Sequence, residues 1–193
     1  MACAALFGVM ASVSERLRTY PLSTIAFAIA GIAAATLAGA WFFELVLGLE
    51  PCPLCLDQRI PYYVAVPLGI LLGLVARRAG LTPITRLGLF ALSAVMLVGA
   101  GYGVYHSGVE WGLWEGPASC AASGRPAQVG DILSSLKATV RVVPCNEAAW
   151  RFLGLSLAGY NVLIAGGLAA LALWAATIRA PKKRLNDLPG RQR

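Results

Sequence analysis

Residues 22–49 read LSTIAFAIAGIAAATLAGAWFFELVLGL, an almost unbroken apolar run. A helix that crosses a bilayer needs roughly 17–25 predominantly apolar residues, so this stretch is long enough. Three further runs follow, at 60–76, 87–105 and 153–178. The second is at the short end and contains Pro67, a kink that is tolerable where neighbouring helices satisfy the freed carbonyl. The reading is an all-α integral membrane protein, a four-transmembrane-helix bundle forming a single membrane domain over residues 1–193. Its helices fall at about 22–49, 60–76, 87–105 and 153–178, and its outer loops at about 50–59 and 106–151.

Composition agrees with this. The 193 residues have a mean hydropathy of +0.70, with 58% hydrophobic and 13% charged side chains. That charged share is roughly half the usual one for a soluble domain, too little polar surface to cover a water-soluble globule.

Charge orients the bundle. Arg16 and Arg18 precede the first run; Arg77, Arg78 and Arg86 lie between the second and third; Arg179, Lys182, Lys183, Arg184, Arg191 and Arg193 follow the fourth. The first outer loop holds Glu50 and Asp57 against Arg59, and the long one has four acids (Glu110, Glu115, Asp131, Glu147) and four bases (Arg125, Lys137, Arg141, Arg151). By the positive-inside rule both termini and the middle linker are cytoplasmic and the long loop is outside. The net charge of +7 is therefore a topology signal and not a nucleic-acid footprint. Ala38-Gly39-Ala40 resembles a signal-peptide cleavage site. The run continues past it through Trp41-Phe42-Phe43, however, and cleavage would leave three spans, so a retained helix is expected. Met10 is an alternative start, which would make Cys3 irrelevant.

Four cysteines then fall on the outer face: Cys52 and Cys55 in the first loop, Cys120 and Cys145 in the second. Disulfides persist in such compartments. Four cysteines allow three pairings; Cys52–Cys55 with Cys120–Cys145 is preferred because C-x-x-C is the common exchange-active spacing. Cys55 is expected to begin the second helix, with Arg59 one turn on along the same face. The helix dipole and the guanidinium would both favour its thiolate, with Pro53 and Pro61 constraining the turn and helix entry. Between the loop cysteines, Val129, Ile132, Leu133, Leu136 and Val140 recur at helical spacing, a short interfacial amphipathic helix in the second outer loop or ordinary loop packing. Trp111, Trp114 and Trp150 suit an aromatic belt.

Blander readings stand beside these. Arg59 could snorkel to the headgroups, His106 could merely end the third helix, and Cys3 could be a spare or acylated thiol. The four cysteines with His106 could form a zinc site, though the spacing of Cys120 and Cys145 is poor for one. No haem, flavin or dinucleotide motif is visible to carry electrons away from Cys52–Cys55. A lipid-soluble acceptor such as quinone is the natural candidate, with Arg59 able to stabilise the reduced oxygen.

The segment Glu50-Pro51-Cys52-Pro53-Leu54-Cys55-Leu56-Asp57-Gln58-Arg59 resembles the K/E-P-C-x-L-C-x-x-x-R segment of the DsbB family of bacterial disulfide bond formation proteins. Tyr105-His106-Ser107-Gly108-Val109-Glu110-Trp111, then Gly116-Pro117-Ala118-Ser119-Cys120, resembles the approach to that family's loop cysteine. Pro144-Cys145-Asn146-Glu147 through Ser156 resembles its second loop cysteine and the entry to the last helix. The likeness covers roughly residues 20–180 in order. It implies a protein-dithiol:quinone oxidoreductase of the bacterial inner membrane, with periplasmic cysteine loops, that makes disulfides de novo. Cys52, Cys55, Cys120 and Cys145 would be the catalytic cysteines. Cys120–Cys145 would reoxidise a DsbA-like periplasmic thiol oxidase, with Cys120 forming the mixed disulfide. Cys52–Cys55 would pass electrons to ubiquinone or menaquinone, with Cys55 nearest the ring and Arg59 and His106 at the quinone site; no metal is implied. Gln58 stands where some members have an acid. A vitamin K epoxide reductase-like enzyme would place its C-x-x-C near a later helix, and a metal-binding or structural membrane protein would keep reduced cysteines.

Overall fold

The structure, a computed structural model, describes residues 22–118, 120, 141–142 and 144–178. Four helices dominate it: α1 (Leu22–Leu45), α2 (Pro53–Ala79), α3 (Pro83–Glu110) and α4 (Leu157–Thr177). All four are long and apolar enough to span a membrane. Their outward faces stay apolar, with Ile32, Phe42, Ile70, Leu71, Leu97 and Leu163 all exposed, as a lipid-facing surface requires. The chain is a four-span membrane bundle. The expected interfacial helix lies outside the described residues, as do Cys3 and the basic tail.

Helix ends are set by caps and not by the limits of the apolar runs. Cys52 is the N-cap of α2, with Pro53 directly after it, where the missing N–H of proline costs nothing. Thus α2 begins two residues before Cys55, and Asp57, Gln58 and Arg59 form its second turn. Pro61 and Pro67 both sit inside the helix and not at its entry. Thr82 Oγ1 caps α3 by accepting the Thr85 N–H at 3.1 Å, and Ser156 Oγ caps α4 by accepting the Gly159 N–H at 3.2 Å. The apolar residues 153–155 ahead of α4 are not helical. Strands β3 (Arg151–Phe152) and β4 (Leu155–Ser156) pair antiparallel across a two-residue turn, with Leu153 at φ 49° and Gly154 at φ 83°. Two successive positive φ values suit the twist of a tight hairpin.

The helices pack α3 on α4, α1 on α2 and α2 on α3, with α1 touching α4 sparingly. The shared core joins Ile29 and Ala33 of α1, Tyr62 and Ala65 of α2, Leu92 and Met96 of α3, and Ala165 and Ala172 of α4. Lipid is as apolar as leucine, so close backbone approach and interhelical hydrogen bonds must supply the association. Gly103 shows the approach: a Cβ there would stand 2.9 Å from Cγ2 of Val162 and 3.1 Å from its backbone nitrogen. Asn161 supplies the bonds. It accepts the Tyr62 hydroxyl at 2.6 Å and donates to the Gly99 carbonyl at 3.1 Å, tying α2, α3 and α4 together.

This antiparallel order puts the α1–α2 and α3–α4 connections at one end of the bundle. The short α2–α3 connection lies at the other, where Arg77 stacks over the Phe27 ring at 5.6 Å and Arg86 reaches the Ile178 carbonyl at 3.4 Å.

Candidate active site

At the first end, two strands of two residues gather the cysteines. Strand β1 (Leu49–Glu50) pairs in parallel with β2 (Arg141–Val142), Glu50 opposite Val142. Running in the same direction, the chains reach Cys52 two residues after β1 and Cys145 three residues after β2. Cys145 is disulfide-bonded to Cys120, with their Cα atoms 5.6 Å apart. Cys52, Leu54, Val109, Cys120 and Cys145 form one buried cluster with Cys55 packed against it. Trp114 roofs α3 nearby, its indole N–H donating to the Tyr105 carbonyl at 2.7 Å. Its ring fills the space beside Gly108, where any side chain would collide with it.

Cys52 and Cys55 are free of disulfide bonds, their sulfurs 2.7 Å apart. Cys52 Sγ also accepts the Cys55 backbone N–H at 3.2 Å. Its capping position therefore gives Cys52, and not Cys55, the first free amide of the helix. His106 Nε2 lies 3.7 Å from the same sulfur. On the other side of the ring, Gln58 Nε2 meets His106 Nδ1 at 2.6 Å. An amide N–H donating to Nδ1 leaves the ring proton on Nε2, facing the sulfur. These contacts pull the Cys52 thiol down from 9.0 to about 5. The Cys55 thiol contributes most and burial opposes it; the His106 ring and the Cys55 amide add to the lowering.

Arg59 is not a free cation. Its Nη1 donates to Glu44 Oε2 of α1 at 2.6 Å, and its Nη2 reaches the Ala40 carbonyl at 3.5 Å. It therefore acts on the cysteines only as half of an ion pair. Glu44 escapes notice in an apolar run, although a lone charge within a span is itself a signal of function. Glu110, within the Tyr105–Trp111 segment, is given no role when the loop is taken to start at His106, yet it is the last residue of α3 and lies one turn from that histidine.

A cavity of about 300 Å³ adjoins the pair, lined by Cys52, Cys55, Arg59, His106, Glu110 and Tyr160 among others. Its size is at the low end of ligand pockets, roughly 300–1,000 Å³. An apolar enclosure with two sulfurs, a ring N–H and a guanidinium suits a flat apolar molecule bearing polar oxygens. Every residue singled out for the quinone site thus reaches this one cavity, while Cys120 and Cys145 are packed on its sulfur end.

Comparison with known proteins agrees. The family model for disulfide bond formation protein DsbB matches residues 22–175. A disulfide bond formation protein B of Xanthomonas campestris is 35% identical over 162 residues, 78% of this chain and 88% of that protein. Those of Polaromonas naphthalenivorans and Marinobacter nauticus are 34% and 32% identical, covering 75% and 74% of this chain and 86% and 84% of their own. No solved structure matches. A match of this extent, on a four-span bundle that gathers both cysteine pairs at one end, places the chain in the DsbB family, as a multi-pass membrane oxidoreductase of disulfide bond formation.

Proposed function

We propose that this protein is a protein-dithiol:quinone oxidoreductase of the bacterial inner membrane, with both termini cytoplasmic and the cysteine end periplasmic. It reoxidises a DsbA-like thiol oxidase and passes the electrons to ubiquinone or menaquinone. The observation that carries this reading is the packing of the disulfide-bonded Cys120–Cys145 pair against the Cys52–Cys55 pair beside a mainly apolar cavity.

In this scheme a thiolate of the partner attacks Cys120, breaking its bond to Cys145 and forming a mixed disulfide. The partner's second thiol closes the partner disulfide and leaves Cys120 and Cys145 reduced. Exchange with oxidised Cys52–Cys55 restores the loop disulfide and leaves Cys52 and Cys55 reduced. The thiolate is the reactive form in each exchange, and Cys52 is held in that form by its cap position and by His106. Cys55, less buried than Cys52, is the sulfur presented to the acceptor. Arg59 and His106 would hold a bound quinone, which supplies the two-electron sink.

The test uses purified protein with quinone and a reduced dithiol partner. Cys55→Ser should insert normally and lose quinone-dependent oxidation of the partner; unchanged oxidation in that variant sinks the scheme. A metal reading has one observation behind it, since donor atoms of Cys52, Cys55 and His106 lie within 4.8 Å of one another. Thiol counting with metal analysis separates the two: a zinc protein keeps all of these thiols reduced around a bound ion, whereas the redox reading requires a loop disulfide.

A further inference from the structure

Three carboxyls line the cavity, Glu50, Glu110 and Glu147, and the scheme above uses none of them. The Glu110 side chain is 4% exposed, and its Oε1 lies 3.9 Å from His106 Nε2. Its other oxygen, Oε2, has no hydrogen-bond partner among the described residues. An unsatisfied buried polar atom in a native fold calls for an explanation, and a catalytic role is one of them. Glu110 also lines the same cavity as Cys52 and Cys55.

Proton accounting supplies the explanation. Closing the Cys52–Cys55 disulfide forms one S–S bond and releases two electrons and, counted from the neutral dithiol, two protons. The Cys55 proton leaves its S–H bond in this step, whereas the Cys52 proton has already left when that sulfur stands as thiolate and must be held nearby. A quinone that takes the two electrons must take two protons to become the quinol, so the balance is internal if the protons can cross the site. Cys52 is only 2% exposed, which removes bulk water as its direct acceptor. His106 Nε2 is the atom in reach of both ends of the gap, 3.7 Å from the Cys52 sulfur and 3.9 Å from Glu110 Oε1. Both separations close to hydrogen bonds with side-chain shifts of about 1 Å, and catalytic contacts commonly tighten in this way once a ligand is bound. Gln58 allows the ring to relay. Its amide donates N–H to Nδ1 at 2.6 Å, and if turned over it would accept an Nδ1–H through its carbonyl, so either tautomer is held.

We propose that Glu110 is the proton carrier of this site: it takes the Cys52 proton through His106 and delivers it to the reduced oxygen in the adjoining cavity. The proposal rests on the quinone reading above. The neighbouring charges favour this route. Arg59 of α2 is occupied by Glu44 of α1. Glu50 of β1, Glu147 of the α3–α4 connection and Tyr160 of α4 also line the cavity, but none of them is bonded to His106 among the described residues. The carboxyl next to the relaying ring is therefore Glu110.

The test uses the full chain in nanodiscs, with two readouts. In the first, the pair is reduced by a small dithiol without quinone, and reduced-minus-oxidised infrared difference spectra are recorded. A carboxylic-acid C=O band should change on reduction in the wild type and be missing in Glu110→Gln. In the second, quinone reduction in Glu110→Gln should fall in kcat by roughly 10²-fold, as for loss of an acid–base group, with KM for quinone unchanged. Glu110→Asp should keep part of the rate, and added formate should restore rate to Glu110→Ala. An infrared difference that Glu110→Gln leaves intact, or a kcat within about twofold of wild type, overturns the proposal. So does a slow variant with lowered thermal stability that formate does not rescue, since that marks a structural role. Wild-type protein that fails to reduce quinone overturns the reading of the site itself, an outcome distinct from failure of the variant alone.

Discussion

Cys52 shows how much one capping position decides. As N-cap of α2 it receives the Cys55 amide and the Cys55 thiol, and His106 faces it from α3. A thiol lowered from 9.0 to about 5 is a thiolate at neutral pH and becomes protonated only as the pH drops through about 5. Alkylation needs the thiolate. In the reduced protein, the rate of Cys52 alkylation should therefore fall by half near pH 5 and not near pH 9.0. His106→Leu, which removes the ring donor, should move that midpoint upward. A wild-type midpoint at the ordinary thiol value would remove the basis for a standing Cys52 thiolate. At this scale the sequence was legible where residue types are rare: the cysteines, Arg59 and His106 all reach one place. It was illegible where the partner decides the role. The expected activation of Cys55 by Arg59 moves to Cys52, because the sulfur that caps the helix is the earlier one and the guanidinium is taken by Glu44. Nothing in a linear pattern pairs α1 with Arg59.

The existence of each helix could be read from apolar length alone; its ends could not. Lengths count side chains that lipid accepts, whereas helices begin where a cap satisfies free amides. Thus α2 reaches back to Pro53 through Asp57, Gln58 and Arg59, and α3 runs on to Glu110. Leu153 looks helical by composition but turns a hairpin. Packing between elements shows the same dependence on neighbours. Gly101 and Gly103 are alike in sequence, but a Cβ on Gly101 meets nothing within 4 Å, while one on Gly103 meets α4 at 2.9 Å. Gly103→Ala should destabilise the bundle by about 1–3 kcal/mol through overpacking, and Gly101→Ala should be neutral or slightly stabilising through helix propensity. Unfolding of the two variants in mixed micelles makes the comparison. Equal stabilities would mean that α3 and α4 are not held by backbone approach at this point.

Across the whole molecule, the bundle separates its two kinds of chemistry by end. Both cysteine-bearing connections emerge together, and the arginines 77, 78 and 86 surround the opposite end. Antiparallel helices of spanning length force this separation once four of them are counted. The proposed orientation rests on charge: moving a cluster of arginines across a bilayer is costly, which assigns their end to the cytoplasm in that proposal. The proposed exchange requires the cysteine end outside, because a soluble oxidase must reach Cys120 there, in a compartment where disulfides survive. A single experiment tests charge and chemistry together. In a background with the native cysteines replaced by serine, Leu113→Cys places a thiol on an exposed residue of the cysteine end, and Ala79→Cys places one on an exposed residue of the arginine end. A membrane-impermeant maleimide added to intact spheroplasts should label Leu113→Cys and reach Ala79→Cys only after lysis. Neutralising Arg77, Arg78 and Arg86 together should weaken that asymmetry, since they are the only arginine or lysine residues from the last turn of α2 to the end of α3. The reverse labelling pattern would put Cys120 in the reducing cytosol, where the proposed partner could not be oxidised through it, and would overturn the direction of electron flow together with the topology.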